Sequence, residues 1–324
     1  AYDLDGDGRE EIITAAGNRL YALKSDGSIF WERKFNFPII LNLIDNWNNQ
    51  TAIGLSAIKN KKAHLLLLNS RGEIIWRNDG KVTPRRQVIS AIRERIAQLA
   101  DIDQDGYEGV LAIHDAGSGL KSRGIILYDR HARELWRYAA GPELQNCVIW
   151  PKEGGRPDIV IGTFSSGDGN HDFHNKTSDR QAYVISLDGY GRTNWVVRMG
   201  GYYTGVRVLL VDLKGDGTQA LYAHKYTAYN YRDDEGGIYK ISRSGSILNR
   251  FESGNSILSV VAGGSGGSSG KYLYSVDNKS NLLKLDDRLN LLKKESLIAN
   301  SSSQEIRLVG VHDYDGDGVD DILM

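Results

Sequence analysis

The chain has 324 residues, 40% of them hydrophobic, and a formal net charge of −1. That balance argues against nucleic-acid or anionic-membrane partners, and no apolar run reaches the roughly 18 residues that cross a bilayer. The single cysteine, Cys147, excludes an internal disulfide and sits in the apolar stretch Asn146-Cys147-Val148-Ile149-Trp150, where it reads as a small buried hydrophobe.

The chain opens on an acidic loop, Asp3-Leu4-Asp5-Gly6-Asp7-Gly8, which runs on to Glu11. Three strand-like segments follow, 11–16, 19–24 and 28–35; the last two meet at the turn Ser25-Asp26-Gly27, and the last carries Trp31. The same grammar returns at 63–68 and 73–77 around Ser70-Arg71-Gly72, with Trp76. It returns at 124–128 and 133–138 with Trp136, and at 182–187 and 192–198 with Trp195. Later copies at 237–241 and 246–251, and at 281–285 and 290–296, put Asn249 and Lys293 in the tryptophan place. A further apolar stretch precedes each of these groups, at 39–44, 96–100, 148–150, 206–211 and 257–262, and another lies at 306–311.

Each unit is thus four short strands over about 40–60 residues, the size of a propeller blade. The expected fold is all-β: one β-propeller domain of four-stranded blades over residues 1–324, with blades at 1–36, 37–80, 95–141, 145–200, 205–254 and 256–299 and a partial one at 304–324. Seven blades are expected; the alternative is six, closed by a C-terminal strand that fills the empty first slot of blade one. The first residue, Ala1, stands almost inside a motif, so the chain is expected to be a piece of a longer protein, incomplete at both ends and carrying flanking domains.

Strands are lettered A to D from the inside outward. The A–B connection is acidic in alternate units, with further copies at 101–106, 212–217 and 313–318. The other units have 45–49, 152–157 and 263–270 there. The last of these, Gly-Gly-Ser-Gly-Gly-Ser-Ser-Gly, also resembles an engineered linker, but it falls where an A–B loop belongs and is read as natural.

The acidic loops suit calcium, a hard cation that takes about six to eight oxygens. Asp3, Asp5 and Asp7 supply carboxylates at positions 1, 3 and 5, glycine at position 6 permits the bend, Arg9 offers its carbonyl at position 7, and Glu11 closes the cage at position 9. The last copy matches with Asp313, Asp315, Asp317, Val319 and Asp321. The third has Asp101, Asp103, Asp105 and Tyr107 but Gly109 at position 9, with Glu108 one place early, and is expected to bind more weakly. In the fourth, Lys214 and Ala220 replace two ligands, and an ammonium there repels a cation. An EF-hand is rejected, because Thr14 and Met324 stand where it needs a bidentate glutamate and a strand follows the loop. Plain acidic turns are the duller reading, disfavoured by the repetition.

The D-x-D-x-D-G-x-x-[DE] loop followed by an apolar strand resembles FG-GAP or VCBS-type propellers, the class that includes the integrin head. The stretch Leu-Tyr-Ala-Leu-Lys-Ser-Asp-Gly-Ser-Ile-Phe-Trp at 20–31 is similar to quinoprotein-like, or PQQ-like, repeats. The resemblance implies that calcium braces the blades and that the domain binds ligands outside the cytoplasm. It implies no quinone cofactor, since neither paired cysteines nor a dehydrogenase metal motif accompanies it.

The B–C connections lie at the end opposite the acidic loops and are long in blades three to five. They carry His114, Lys121 and Arg123, then Asp168, His171 and His174, then His224, Tyr226, Tyr229 and Arg232, the candidate ligand-binding residues. The tyrosines suit stacking on a sugar or peptide, or they fix their own loop. His171-x-x-His174 has transition-metal spacing, but solvated loop histidines are commoner. Arg85-Arg86 and Arg93-Glu94-Arg95 read as a solvated connector of helical character. The expected function is a non-enzymatic, extracytoplasmic, calcium-stabilised propeller that binds a glycan, peptide or small molecule, as a sensor or adhesin ectodomain. Rivals are a lyase-like polysaccharide enzyme using His224, Tyr226 and Arg232, and a purely structural module.

Overall fold

The computed structural model describes residues 2–59, 62–80, 93–115, 123–172, 174–228, 236–264, 271–297, 306–312 and 321–324. Every named element among them is a β-strand, and among the described residues no helix is long and apolar enough to cross a membrane.

The leucine run of strand Lys62–Leu68 shows why the strands assemble as they do. Successive side chains of a strand point to opposite faces. Leu66 and Leu68 enter one buried cluster with Leu20 and Ile53, while Leu65 and Leu67 enter another with Trp76, Val110 and Ile126. A strand apolar on both faces needs a sheet on each side. The chain supplies them in series.

Blade one has Ile12–Ala16, Arg19–Leu23 and Ile29–Lys34; blade two has Ile39–Trp47, Gln50–Lys59, Lys62–Leu68 and Ile74–Asp79. Blade three is Arg93–Ala100, Gly109–Asp115, Arg123–Tyr128 and Glu134–Ala139; blade four is Glu143–Trp150, Asp158–Phe164, Ala182–Leu187 and Thr193–Gly200. Blade five is Thr204–Val211, Ala220–Thr227, Gly237–Ile241 and Ile247–Glu252; blade six is Ile257–Gly263, Tyr272–Asp277, Asn281–Leu285 and Leu291–Ser296. All neighbours are antiparallel, and Phe164 pairs with Gly205 to join blades four and five at one point. The clusters of core residues each lie between consecutive blades, the last one joining Tyr274 and Val276 of blade six to Leu308, Val311 and Ile322.

Two sequence expectations change. Residues 93–95 begin strand Arg93–Ala100, so they are no helical connector, and Glu94 is buried. Strand A of blade two runs on to Trp47, which leaves a hairpin turn at Asn48-Asn49 with φ of 50° and 65°. At the C-terminus, Gly310–His312 pairs with Asp321–Leu323, and blade one carries an isolated Tyr2–Glu11 bridge. The glycine-rich 265–270 lies outside the described residues.

Blades one to four are each docked on the next by a tryptophan. The indole Nε1 of Trp31 donates to Ser70 O at 2.9 Å, Trp76 to Asp129 O at 3.1 Å, Trp136 to Gly189 O at 3.2 Å and Trp195 to Arg243 O at 2.7 Å. Every acceptor lies in the C–D turn of the following blade. Where blade five lacks the tryptophan, Tyr222 Oη and Lys240 Nζ donate to Asp287 O of blade six at 3.1 and 3.0 Å. The turn also needs a residue in the left-handed region. At Gly191 (φ 78°) an added Cβ would lie 2.7 Å from the Trp136 ring, whereas at Gly27 (φ 83°) it would meet nothing within 4 Å. Gly27→Ala therefore carries only the conformational cost, about 1–2 kcal/mol. Gly191→Ala adds an indole clash of about 1–3 kcal/mol. Urea unfolding of the two variants is expected to rank Gly191→Ala as clearly the less stable, and equal losses would show that the indole does not limit the turn.

Candidate functional site

Because the strands run antiparallel from A to D, A–B and C–D connections share one end of each blade and B–C and D–A connections share the other. The acidic loops belong to the first end. In loop one, ligand oxygens of Asp3, Asp5 and Glu11 all lie within 4.8 Å of one another. In loop three the same holds for Asp101, Asp103 and Asp105. Asp7 lies outside the close group, and its Oδ1 accepts Arg9 N at 2.8 Å. Position 1 organises every described copy. Asp3 accepts Gly6 N and Gly8 N at 2.7 and 2.9 Å, Asp101 accepts Asp105 N and Gly106 N at 3.1 and 3.0 Å, and Asp212 accepts Gly215 N and Gly217 N at 2.8 and 2.7 Å. Positions 4 and 6 are both left-handed, as at Gly6 and Gly8 (φ 78° and 82°) or Gln104 and Gly106 (φ 58° and 87°).

The charges balance differently in each loop. Burial, then the carboxylates of Asp105 and Asp101, push Asp103 above the ordinary carboxylate range. Burial also acts upward on Asp212, but N–H groups of Gly217 and Gly215 hold it below that range. Lys214 turns away from its loop, 3.8 Å from Asp287 of blade six. Glu108 takes a bracing role: its carboxylate accepts Asn48 N at 2.8 Å, its N–H donates to Asn48 Oδ1 at 2.8 Å, and its carbonyl accepts Trp47 Nε1 at 2.9 Å. Asp313, Asp315, Asp317 and Val319 lie outside the described residues; Asp321 begins the last strand.

At the other end, Arg123 starts strand C of blade three and reaches into the B–C loop of blade four. Its guanidinium donates to Asp168 Oδ2 at 2.7 Å, Ser166 Oγ at 3.2 Å and Gly141 O at 3.2 Å, with Asp115, Glu143 and Asp179 at 3.6, 3.5 and 3.6 Å. The Arg123 side chain is 1% exposed and that of Asp179 0%. Tyr226 of blade five donates to Gln145 Oε1 of blade four at 2.8 Å and stacks on Phe164 with ring centroids 6.3 Å apart. Gly205 is required beside it, since a Cβ there would lie 2.1 Å from the ring. His224 is buried with Nδ1 3.3 Å from Ile257 O, and His114 Nδ1 is 2.8 Å from Glu94 Oε1. His171 and His174 are exposed, the former on a two-stranded hairpin with Thr177–Ser178. No close group of metal-ligating side chains among the described residues includes either. Lys121, Tyr229 and Arg232 lie outside the described residues.

The architecture matches known structures. The Dos1 propeller superposes with a TM-score of 0.58 at 12% sequence identity, over 90% of this chain and 69% of that one. BBS1N, in a crystal structure of its complex with ARL6DN, gives 0.53 at 13% identity, over 91% of this chain and 80% of that one. The fold is a β-propeller. No family model matches the sequence, and no curated protein matches it. At these identities the likeness of the propeller to solved structures establishes the fold alone.

Within the propeller, the sequence-selected residues divide by role. His114, Arg123, His224 and Tyr226 are braces in or between blades; Asp168 is partly open, and His171 and His174 face solvent. Gln145 and Phe164 carry no local signal, because their partner Tyr226 lies far along the chain, and Glu94 sits in a charged segment yet is buried. The sequence reading also passed over loop position 2. Leu4, Ile102 and Leu213 there are all buried in inter-blade cores, and the apolar residue at that position in every copy was the signal.

Burial, helped by Arg207, pushes the His224 imidazole down to about 4 from an ordinary 6.5. The unfolded chain takes its proton near 6.5 and the folded chain only near 4, so this contribution is full above 6.5 and is lost as pH falls toward 4. Chemical denaturation across that window is expected to cost the wild type about 3 kcal/mol more than His224→Gln. Parallel pH profiles for the two proteins would show that His224 is not held neutral.

Proposed function

We propose that this propeller is a calcium-braced, non-enzymatic binding module that works outside the cytoplasm. It holds a glycan, peptide or small molecule on the end opposite its acidic loops, over blades three to five. The observation that carries the reading is the cross-linking of that surface. Arg123 of blade three bonds Asp168 of blade four at 2.7 Å, and Tyr226 of blade five bonds Gln145 of blade four at 2.8 Å. Three neighbouring blades thereby present one fixed platform beneath long connections, the arrangement that positions functional loops on rigid scaffolds. The buried groups are occupied in holding the platform, which favours binding over acid–base chemistry. Contact with a ligand falls to Asp168, His171, His174 and the loop residues Lys121, Tyr229 and Arg232.

Calcium at Asp3, Asp5 and Glu11, and more weakly at Asp101, Asp103 and Asp105, is supported by donor chemistry. All are hard oxygens in a turn already shaped by its own backbone hydrogen bonds. Loops as open as these suit compartments with about millimolar calcium, in keeping with an extracytoplasmic module. The resemblance to FG-GAP or VCBS-type propellers rests on the same loops.

Calcium at a hundredfold excess over its dissociation constant is expected to add about 2.7 kcal/mol per site, seen as a raised melting temperature that a chelator reverses. Asp5→Ala and Asp315→Ala each lower the bound calcium measured by equilibrium dialysis, and Asp216→Ala does not. Equal losses from all three would refute the loop assignment.

For the ligand face, a glycan and metabolite screen by thermal shift is followed by Asp168→Ala, His171→Ala, Tyr229→Ala and Arg232→Ala. Any true ligand of the face is expected to bind at least one of these variants about tenfold more weakly. A ligand indifferent to all four refutes the site, and unsaturated sugar products would replace binding with a lyase reaction.

A further inference from the structure

Between the outer strand of blade two and the flank of blade three lies a cavity of about 760 Å³. Asn78 and Asp79 line it from blade two, and Glu94, His114, Tyr128 and Arg137 from blade three. The volume falls within the range of about 300–1,000 Å³ usual for small-ligand pockets. Glu94 and His114 are register partners on adjacent strands, and each is 8% exposed. Oε1 of Glu94 meets His114 Nδ1 at 2.8 Å. Oε2 of Glu94 is also buried, and it has no hydrogen-bond partner among the described residues. A buried carboxylate oxygen without a donor is costly to the fold, and its retention asks for an explanation.

The remaining charges of the wall define what fits. Each guanidinium has an acid beside it: Arg77 with Asp79 at 2.8 Å, Arg137 with Glu134 at 2.8 Å, and Arg133 with Asp129 at 2.6 Å. An amine entering the cavity would meet three guanidinium groups, and an anion would meet Asp79, Glu94 and Glu134. A hydroxyl group both donates and accepts, so it satisfies either kind of wall atom.

We propose that this cavity binds a neutral polyhydroxylated molecule, a mono- or disaccharide unit, with one hydroxyl donating to Glu94 Oε2. His114 holds the carboxylate in place through Oε1, and Asn78, Asp79 and Arg137 supply further partners along the walls. The site is distinct from the platform over blades three to five, because it opens between blades two and three.

The test is calorimetric titration of the full chain with glucose, galactose, mannose, maltose and cellobiose, with glucosamine and glucuronic acid as charged counterparts. At least one neutral sugar is expected to saturate the protein. Glu94→Gln keeps the shape but replaces a charged acceptor, and it is expected to weaken that sugar about tenfold. Asp79→Asn alters a side chain that is 45% exposed, so it keeps the test decisive if Glu94→Gln does not fold, and a severalfold loss is expected. Lys293→Ala, on the exposed outer strand of blade six, leaves binding unchanged. Three results overturn the proposal: no neutral sugar binds, a charged counterpart binds better, or Glu94→Gln and Asp79→Asn both bind as well as the wild type. A sugar whose affinity falls with Asp168→Ala and not with Glu94→Gln sits on the other site and overturns it as well.

Discussion

The docking of one blade's indole on the next blade's turn is the contact on which the rest of this molecule depends. A blade apolar on both faces cannot stand alone, and hydrophobic contact by itself does not fix the angle or height at which two sheets meet. The Nε1–H bond from Trp31, Trp76, Trp136 or Trp195 to a single turn carbonyl does so. It also explains why the left-handed position of the C–D turn is glycine in blades four and five, since the indole occupies the space a side chain would need at Gly191 and Gly245. Blade five keeps the acceptor and changes the donors, using Tyr222 and Lys240 toward Asp287. The conserved quantity along the array is therefore the turn carbonyl's partner rather than the tryptophan.

This bracing is concentrated at one end. C–D turns and A–B loops share it, and the A–B loops add their own links: Trp47 and Asn48 to Glu108, Gln104 to Gly155 O at 2.9 Å, and Lys214 to Asp287. The opposite end is held by longer side chains, chiefly Arg123 and Tyr226. Arginine suits that task, since its planar fork serves several acceptors at once and stays charged when buried. Four carboxylates around one guanidinium are more than neutrality requires, and those of Asp115, Glu143 and Asp168 keep access to solvent. Only Asp179 is fully enclosed, its Oδ1 accepting Gly169 N at 3.2 Å. The division leaves one end fixed by backbone geometry and the other free to carry long, chemically varied connections.

What was legible in the sequence follows from range. The strand runs, the turns closing on Gly27, Gly72, Gly191 and Gly245, and the acidic loops are local, and those among the described residues form turns and strands at the expected places. Glu94 was illegible because its environment is not local. Arg93-Glu94-Arg95 has the composition of a solvated segment, yet its middle residue is buried against His114, 20 positions on. Likewise, nothing near Arg123 in sequence announces that Asp168, 45 positions away, will cover it. Loop length alone singled out the candidate face, while the division of its residues into braces and open groups needed the packing.

The acidic loops connect these two levels. Their second residue, Leu4, Ile102 or Leu213, is buried between blades, so anything that stiffens the loop also stiffens a blade interface. The copy with Lys214 shows how little of the turn depends on a metal. Asp212 still accepts backbone N–H groups with both oxygens, and the left-handed residues Gly215 and Gly217 recur at φ 71° and 82°. The turn is formed by its own hydrogen bonds, which gather the carboxylates of each loop. In loop three, burial and then the carboxylates of Asp105 and Asp101 weigh against a charged Asp103. In the Lys214 copy two carboxylates remain, and the backbone amides suffice. Carboxylate content therefore varies from loop to loop, over a blade geometry that the described copies share.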